Sequence, residues 1–189
     1  MFEKMGLRLL QKINAESAHE LALLYLRVKP FSNNKIPLYP RLKTRIAGIN
    51  LPNPVGLAAG FDKNAVAIRT LSQLGFGFTE VGAVTPRPQP GNQKPRVFRL
   101  ENEKAIINQY GFNNAGMEKV NNRLQQFGKR SVVGLNIGAN KNSLNMGNDF
   151  VKVLTCCAEN IHFATINISS PNTKKIRDFQ KGEQLQDLL

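Results

Sequence analysis

Ser131-Val132-Val133-Gly134-Leu135-Asn136-Ile137-Gly138 is a nearly unbroken apolar run that closes on an asparagine and a glycine. Such a run, without polar alternation, belongs to a strand covered on both faces, which is the habit of parallel sheets. The same texture recurs outward from it. Residues 55–59 form a short apolar run closed by Gly60, Phe78 to Val84 form a second strand, and residues 163–168 form a fourth. Helical spacing fills the gaps: Ala65, Ile68 and Leu71 within residues 64–74, then residues 114–127 and 146–160. Alternating strands and helices give an α/β chain with a parallel sheet. Each strand ends in polar or glycine-containing sequence, at residues 60–63, 85–87, 136–138 and 167–170. In a TIM-type (β/α)8 barrel the active site collects at those ends. An open doubly wound sheet uses the same ends and remains the alternative.

Ahead of the sheet, residues 1–30 read as two amphipathic helices. Phe2, Met5, Leu9 and Ile13 fall on one face of the first. Ser17-Ala18-His19-Glu20 has the form of a capping box that opens the second, whose stripe is Leu21, Leu24, Tyr25 and Val28, with Pro30 as its stop. The proline-marked segment 32–40 reads as a linker. The chain is therefore expected to divide into an N-terminal helical segment, residues 1–40, and an α/β part, residues 41–189. Within the latter, residues 85–112 carry Pro86, Pro88, Pro90 and Pro95 and should form a stiff loop with a small antiparallel excursion. Residues 184–189 read as a helix cut off mid-course.

Composition narrows the function classes. A hydrophobic fraction of 41% in 189 residues is globular, and no run of 18 apolar residues would span a bilayer. The N terminus lacks the layout of a signal peptide, its apolar residues being interleaved with Lys4, Arg8 and Lys12. Cys156 and Cys157 are adjacent, so they form no disulfide framework, and with only two distant histidines no metal site is expected. The net charge of +13 is scattered, without long basic runs or interleaved aromatics, so nucleic acid is not an expected partner. Residues 1–45 hold nine Lys/Arg against three Glu, an excess of six that favours an anionic membrane surface at roughly 1 kcal/mol per well-placed charge.

Three words carry candidate chemistry. In Ala59-Gly60-Phe61-Asp62-Lys63 the glycine lets backbone approach a flat ring, and Lys63 offers a cation; a plain turn after a strand reads the same way. Asn108-Gln109-Tyr110-Gly111-Phe112-Asn113-Asn114 offers amides suited to an amide-rich ring, or to satisfying its own loop. Asn167-Ile168-Ser169-Ser170-Pro171-Asn172 brings two amides and a hydroxyl to one strand end, although an ordinary Ser/Asn turn has this composition too. Ser170 has no sequence-local base and no nucleophile elbow, and a Ser-His-Asp hydrolase is unsupported.

These words, with residues 53–63 and Thr85-Pro86-Arg87-Pro88-Gln89-Pro90-Gly91-Asn92, resemble the dihydroorotate dehydrogenase family from about Ser17 to Leu189. Several long words in fixed order make the resemblance specific. Class 1 members resemble Ser-Cys-Pro-Asn at the fourth word, whereas Ser169-Ser170-Pro171-Asn172 together with an N-terminal helical pair resembles class 2, the quinone-dependent branch.

The resemblance implies oxidation of dihydroorotate to orotate in pyrimidine biosynthesis, with FMN as hydride acceptor and a membrane quinone as final acceptor. It implies that Ala59, Gly60, Phe61, Asp62, Lys63, Ala83, Asn136 and Asn167 bind FMN. Ala83 falls where the family often has a threonine, so only a backbone contact survives there. Lys63, Asn108, Gln109, Tyr110, Gly111, Phe112, Asn167 and Asn172 are implied for the substrate, and Ser170 as the general base. The N-terminal helices would give quinone access while resting on the bacterial inner membrane from its cytoplasmic side. Lys174-Lys175 stands where the family tends to have Pro-Gly. A full barrel needs roughly 250 residues, so only about the first four β/α units are expected here. The 189-residue polypeptide alone is then expected to hold FMN poorly and turn over slowly. The alternatives are a truncated non-catalytic remnant or fragment of such an enzyme, a different flavin- or phosphate-binding barrel, and a basic membrane- or nucleic-acid-binding module.

Overall fold

The computed structural model describes residues 2–28, 39–173 and 176–188. Pro30, the linker up to residue 38, and Lys174-Lys175 lie outside them, as do the side chains of Phe2 and Met5. Two helices open the chain, α1 (Phe2–Lys12) and α2 (Ala15–Val28). The capping-box expectation is corrected: Asn14, not Ser17, caps α2. Its Oδ1 accepts from the amides of Glu16 (2.9 Å) and Ser17 (3.3 Å). Asn is as good a cap as Ser, and Ser17 already lies inside the first turn. The apolar stripe of α2 faces solvent, with Leu24, Tyr25 and Val28 each more than half exposed. What anchors the helix is its other side, where Ala18 and Glu16 are buried.

A hairpin follows, β1 (Thr44–Ile46) paired antiparallel with β2 (Ile49–Leu51). Its two-residue turn, Ala47-Gly48, has φ of 47° and 82°. Positive φ at both positions is the type I′ geometry that matches strand twist. Sequence reading missed this hairpin because Ala is a poor sign of a left-handed residue.

The parallel sheet contains β3 (Gly56–Leu57), β4 (Phe78–Val84), β7 (Val133–Ile137) and β8 (Phe163–Ile166), in the spatial order β3-β4-β7-β8. Between β4 and β7 come the antiparallel pair β5 (Val97–Leu100) and β6 (Ala105–Asn108), then α4 (Met117–Phe127). The remaining helices are α3 (Ile68–Leu71), α5 (Met146–Cys157) and α6 (Gly182–Leu188). Each parallel strand lies beside its predecessor and the order never reverses. A doubly wound sheet reverses at a switch point, so the singly wound order of a (β/α) barrel is the one present, in its first four strands.

The strands hold two different faces. Val81, Val133, Leu135 and Ile137 are fully buried against Val120, Leu124 and Phe127 of α4 and Phe150, Val153 and Cys157 of α5. Burial of a side chain of this kind is worth about 1.5–3 kcal/mol, so this layer carries the stability of the unit. The opposite face presents Phe78, Glu80, Asn136 and Phe163. The rings of Phe78 and Phe163 meet edge to face at 5.6 Å, and they lie over Gly56 and Gly134, where any Cβ would strike them.

Two helices start later than the spacing predicts. Residues 64–67 are not helical because the Asp62 carboxylate takes the amides of Asn64, Val66 and Ala67 and Ala65 stands at φ 54°, leaving one turn of α3. Residues 114–116 are likewise tied elsewhere: the Asn114 side chain bonds the amide and hydroxyl of Thr85 and the amide of Gly116, and Gly116 has φ 85°.

Candidate active site at the strand ends

The C-terminal ends of the parallel strands open onto a cavity of about 360 Å³. It is lined by Ala59, Gly60 and Lys63 after β3, Ala83 of β4, Asn136 of β7, and Asn167, Ser170 and Asn172 after β8. Asn108, Tyr110, Gly111 and Phe112 close the other side. This size falls in the roughly 300–1,000 Å³ range of small-molecule pockets. A Cβ on Gly60 would meet nothing within 4 Å, so the space above that backbone is clear. Three further candidates lie outside the lining. Phe61 offers its carbonyl to His19 Nε2 of α2, 2.6 Å away. Asp62 is fully buried, its carboxylate engaged by the amides of Asn64 (3.4 Å), Val66 (2.9 Å) and Ala67 (2.7 Å). Gln109 is exposed and donates its amide to the Arg96 carbonyl.

The far wall is a loop bent by two successive left-handed residues, Gly111 (φ 70°) and Phe112 (φ 53°). The proline-rich insertion holds it in place. Gln89 Nε2 donates to the carbonyls of Gly111 and Phe112, and Asn92 Nδ2 donates to that of Gln109. A side chain at Gly111 would strike the Asn92 amide, so backbone conformation and space both require glycine. Below it, Asn140 Nδ2 donates to Thr85 Oγ1, to the Arg87 carbonyl and to Gln89 Oε1. Stiffness here comes from amides as well as prolines.

Lys63 supplies the cavity's charge. Burial pushes its ammonium down to about 8, opposed by the Glu16 carboxylate. Its Nζ stands 3.9 Å over the Tyr110 ring, and the Arg96 guanidinium lies 5.3 Å from the same ring. Arg96 is in turn bound to Glu16 of α2 through three hydrogen bonds of 2.6–3.2 Å, with both side chains buried. Sequence reading missed the Glu16–Arg96 pair; 80 residues separate its members, and no local pattern joins them.

Across the cavity floor a second line runs between strands. Asn136 Nδ2 donates to Glu80 Oε1 and Asn167 Nδ2 donates to Asn136 Oδ1, both at 2.9 Å. The Asn167 oxygen accepts from the amide and hydroxyl of Ser169. Ser170 Oγ accepts from the Asn172 amide at 3.3 Å. The cavity therefore offers one cation, several oriented amides and the hydroxyls of Ser170 and Tyr110, a set that suits a flat, amide-bearing ring with an anionic substituent.

Fold and site together define a barrel-type α/β protein with a small-molecule cavity at its strand ends. A sequence profile described as dihydroorotate dehydrogenase matches residues 41–189. The dihydroorotate dehydrogenase (quinone) of Cereibacter sphaeroides is 49% identical over 195 residues, covering all of this chain and 54% of the relative. That of a Bradyrhizobium species is 47% identical over 193 residues, covering all of this chain and 52% of the relative. Among solved structures, DHODH of Eimeria tenella in complex with ferulenol superimposes with a TM-score of 0.86 at 39% identity, over 92% of this chain and 48% of that one. The chain belongs to the dihydroorotate dehydrogenase family, and it spans about half the length of these relatives.

Proposed function

We propose that this chain supplies the flavin- and substrate-facing part of a quinone-dependent dihydroorotate dehydrogenase, oxidising dihydroorotate to orotate in pyrimidine synthesis. The observation that carries the reading is the convergence of Lys63, Asn136, Asn167, Asn172 and Ser170 from separate strand ends on one cavity, in a chain of this family. The residues fit FMN in two respects: the space above Gly60 is clear, and the wall offers amides rather than competing carboxylates. Ala59, Gly60, Lys63, Ala83, Asn136 and Asn167 would hold it. Phe61 and Asp62 would act through the loop, Asp62 by fixing the backbone that carries Lys63. Bound FMN supplies a hydride acceptor.

The chain's own groups do the rest. Lys63 and the amides of Asn108, Asn167 and Asn172 hold the substrate carboxylate and ring, with Tyr110, Gly111 and Phe112 as the wall; Gln109 contributes through its backbone. Ser170 Oγ takes the ring proton. A hydroxyl is a poor base in water, so this role depends on preorganisation and on onward transfer of the proton. The exposed apolar stripe of α2 and the basic excess of residues 1–45 support an N-terminal segment, residues 1–40, that lies on an anionic membrane surface and admits quinone. No described helix is long and apolar enough to cross a membrane. We place the enzyme peripherally on the cytoplasmic side of a bacterial inner membrane.

The test joins this chain to the C-terminal half of the Cereibacter sphaeroides relative. The chimera is expected to be yellow and to form orotate with a quinone acceptor. Its Ser170→Ala form should keep flavin and lose ring deprotonation by about 10²-fold or more. A folded, colourless chimera refutes the flavin assignment, and unchanged turnover removes Ser170 from the role of base.

A further inference from the structure

Glu80 is the one member of the cavity-floor line that neither the family words nor the cavity lining includes. It sits on the inner face of β4, level with Gly134 of β7 in the strand register, and reaches up to the Asn136 amide. Among the described residues no cation lies within ion-pair distance of it. Its hydrogen bond inside the sheet is to an amide.

That bond has a directional consequence. An asparagine amide can be turned over with little change of shape, so its polarity is set by its partners. A carboxylate only accepts. Glu80 therefore compels Asn136 to present its NH2 downward, which points Asn136 Oδ1 at the next strand. There it accepts from the NH2 of Asn167, and Asn167 Oδ1 is left to accept from the N–H and the hydroxyl of Ser169. Asn167 thus has both oxygen lone pairs engaged and one N–H free. Asn136 keeps one N–H and one lone pair. The floor meets a ligand mainly with donors.

We propose that Glu80 is a positioning residue that, through Asn136 and in the same sense as the Ser169 N–H at the far end of the line, holds the polarity of both cavity amides, so that the site selects a planar ring edge carrying acceptor atoms. The inference rests on the proposed flavin and pyrimidine site for the identity of the ring, but the coupling of Glu80 to Asn167 stands on geometry alone.

The experiment has two arms. In the 189-residue chain, the side-chain amide signals of Asn136 and Asn167 are followed by ¹⁵N NMR in wild type, Glu80→Gln and Asn136→Ala. Gln offers Asn136 either a neutral carbonyl or an NH2, so it neither supplies a charged acceptor nor fixes the sense of the line from below. Glu80→Gln is therefore expected to speed solvent exchange of the Asn167 amide by about tenfold, the scale of one hydrogen bond to a charged group, although Glu80 does not bond Asn167. Asn136→Ala should have the same effect, and it keeps the question open to measurement should Glu80→Gln fold poorly. Asn136→Ala removes the direct acceptor of that amide and so sets the scale of the effect; an Asn167 amide indifferent to Glu80→Gln in a folded chain overturns the coupling. In the chimera described above, Glu80→Gln is expected to weaken FMN binding about tenfold, read by fluorescence titration. If the wild-type chimera binds no FMN, the functional reading fails while the NMR arm still decides the coupling. If coupling is seen and FMN affinity does not move, the ligand-selecting role is refuted.

Discussion

Replacing Arg96 by leucine isolates the buried link between α2 and the cavity wall. Arg96 donates to Glu16 at 3.1, 3.2 and 2.6 Å and to the carbonyls of Pro90 and Asn92 at 2.6 and 2.9 Å. Its side chain is 6% exposed and that of Glu16 is 7% exposed. Leucine leaves the carboxylate buried with only Lys94 Nζ at 3.4 Å, and that amine is 60% exposed. Such an exposed partner contributes under about 1 kcal/mol. Removing one member of a buried ion pair costs roughly 3–5 kcal/mol. At roughly 2–4 °C per kcal/mol for a chain of this size, Tm should fall by about 6–20 °C in a circular-dichroism melt. The double variant Glu16→Leu/Arg96→Leu should recover part of the loss, since the stranded charge is gone. Acid supplies an independent check. Burial pushes the Glu16 carboxyl up, but the hydrogen bonds and charges of Arg96 and Lys94 outweigh it and hold the group below its ordinary 4.5. A depressed carboxyl stabilises the fold above its ordinary value, and that contribution is lost as pH falls below it. The gap between wild type and Arg96→Leu must therefore narrow below about pH 4.5. A variant within about 1 kcal/mol of wild type at neutral pH, or a gap that stays constant in acid, refutes the reasoning.

Burial holds the Lys63 ammonium at about 8, so orotate binding to the chimera should be strong below that pH and decline as pH rises through it; calorimetry on Lys63→Gln should show weak binding with no such step. Asp62→Ala strips acceptors from the amides of Asn64, Val66 and Ala67, and urea unfolding should show a loss of about 1–3 kcal/mol; a loss below about 0.5 kcal/mol, the surface-substitution range, would mean water replaces the carboxylate. Gly134→Ala drives a methyl into the Phe163 ring and should cost about 1–3 kcal/mol, with Phe163→Leu in the same chain restoring part of it. Wild-type stability in the Gly134→Ala chain would show that the ring is free to move.

The parallel strands were legible because the face they turn to the helices is apolar at every position, as residues 133, 135 and 137 are. The strand ends were legible for the complementary reason, since polar residues at such places have a solvent-facing job. Residues 64–67 were misread as helix because Ala65 has a good helical residue's chemistry and a left-handed backbone; the Asp62 carboxylate that enforces this is invisible to a periodicity count. The α2 stripe was read correctly as apolar, yet its solvent exposure could not be inferred, because periodicity names a face without naming what covers it. Glu80 carried no sequence signal, and only the pairing of β4 with β7 brings its carboxylate to Asn136.

The succession β3-β4-β7-β8 also bears on how the chain is made. Because each parallel strand docks on the one synthesised just before it, a nascent polypeptide leaving the ribosome never has to pry apart an existing ladder to insert a newcomer. Assembly can advance like a zip, with loop closures that stay short relative to chain length. Throughout this growth the sheet keeps two unpaired edges, the outer side of β3 and that of the newest strand, and the intermediate most vulnerable to mispairing is the one that displays them longest.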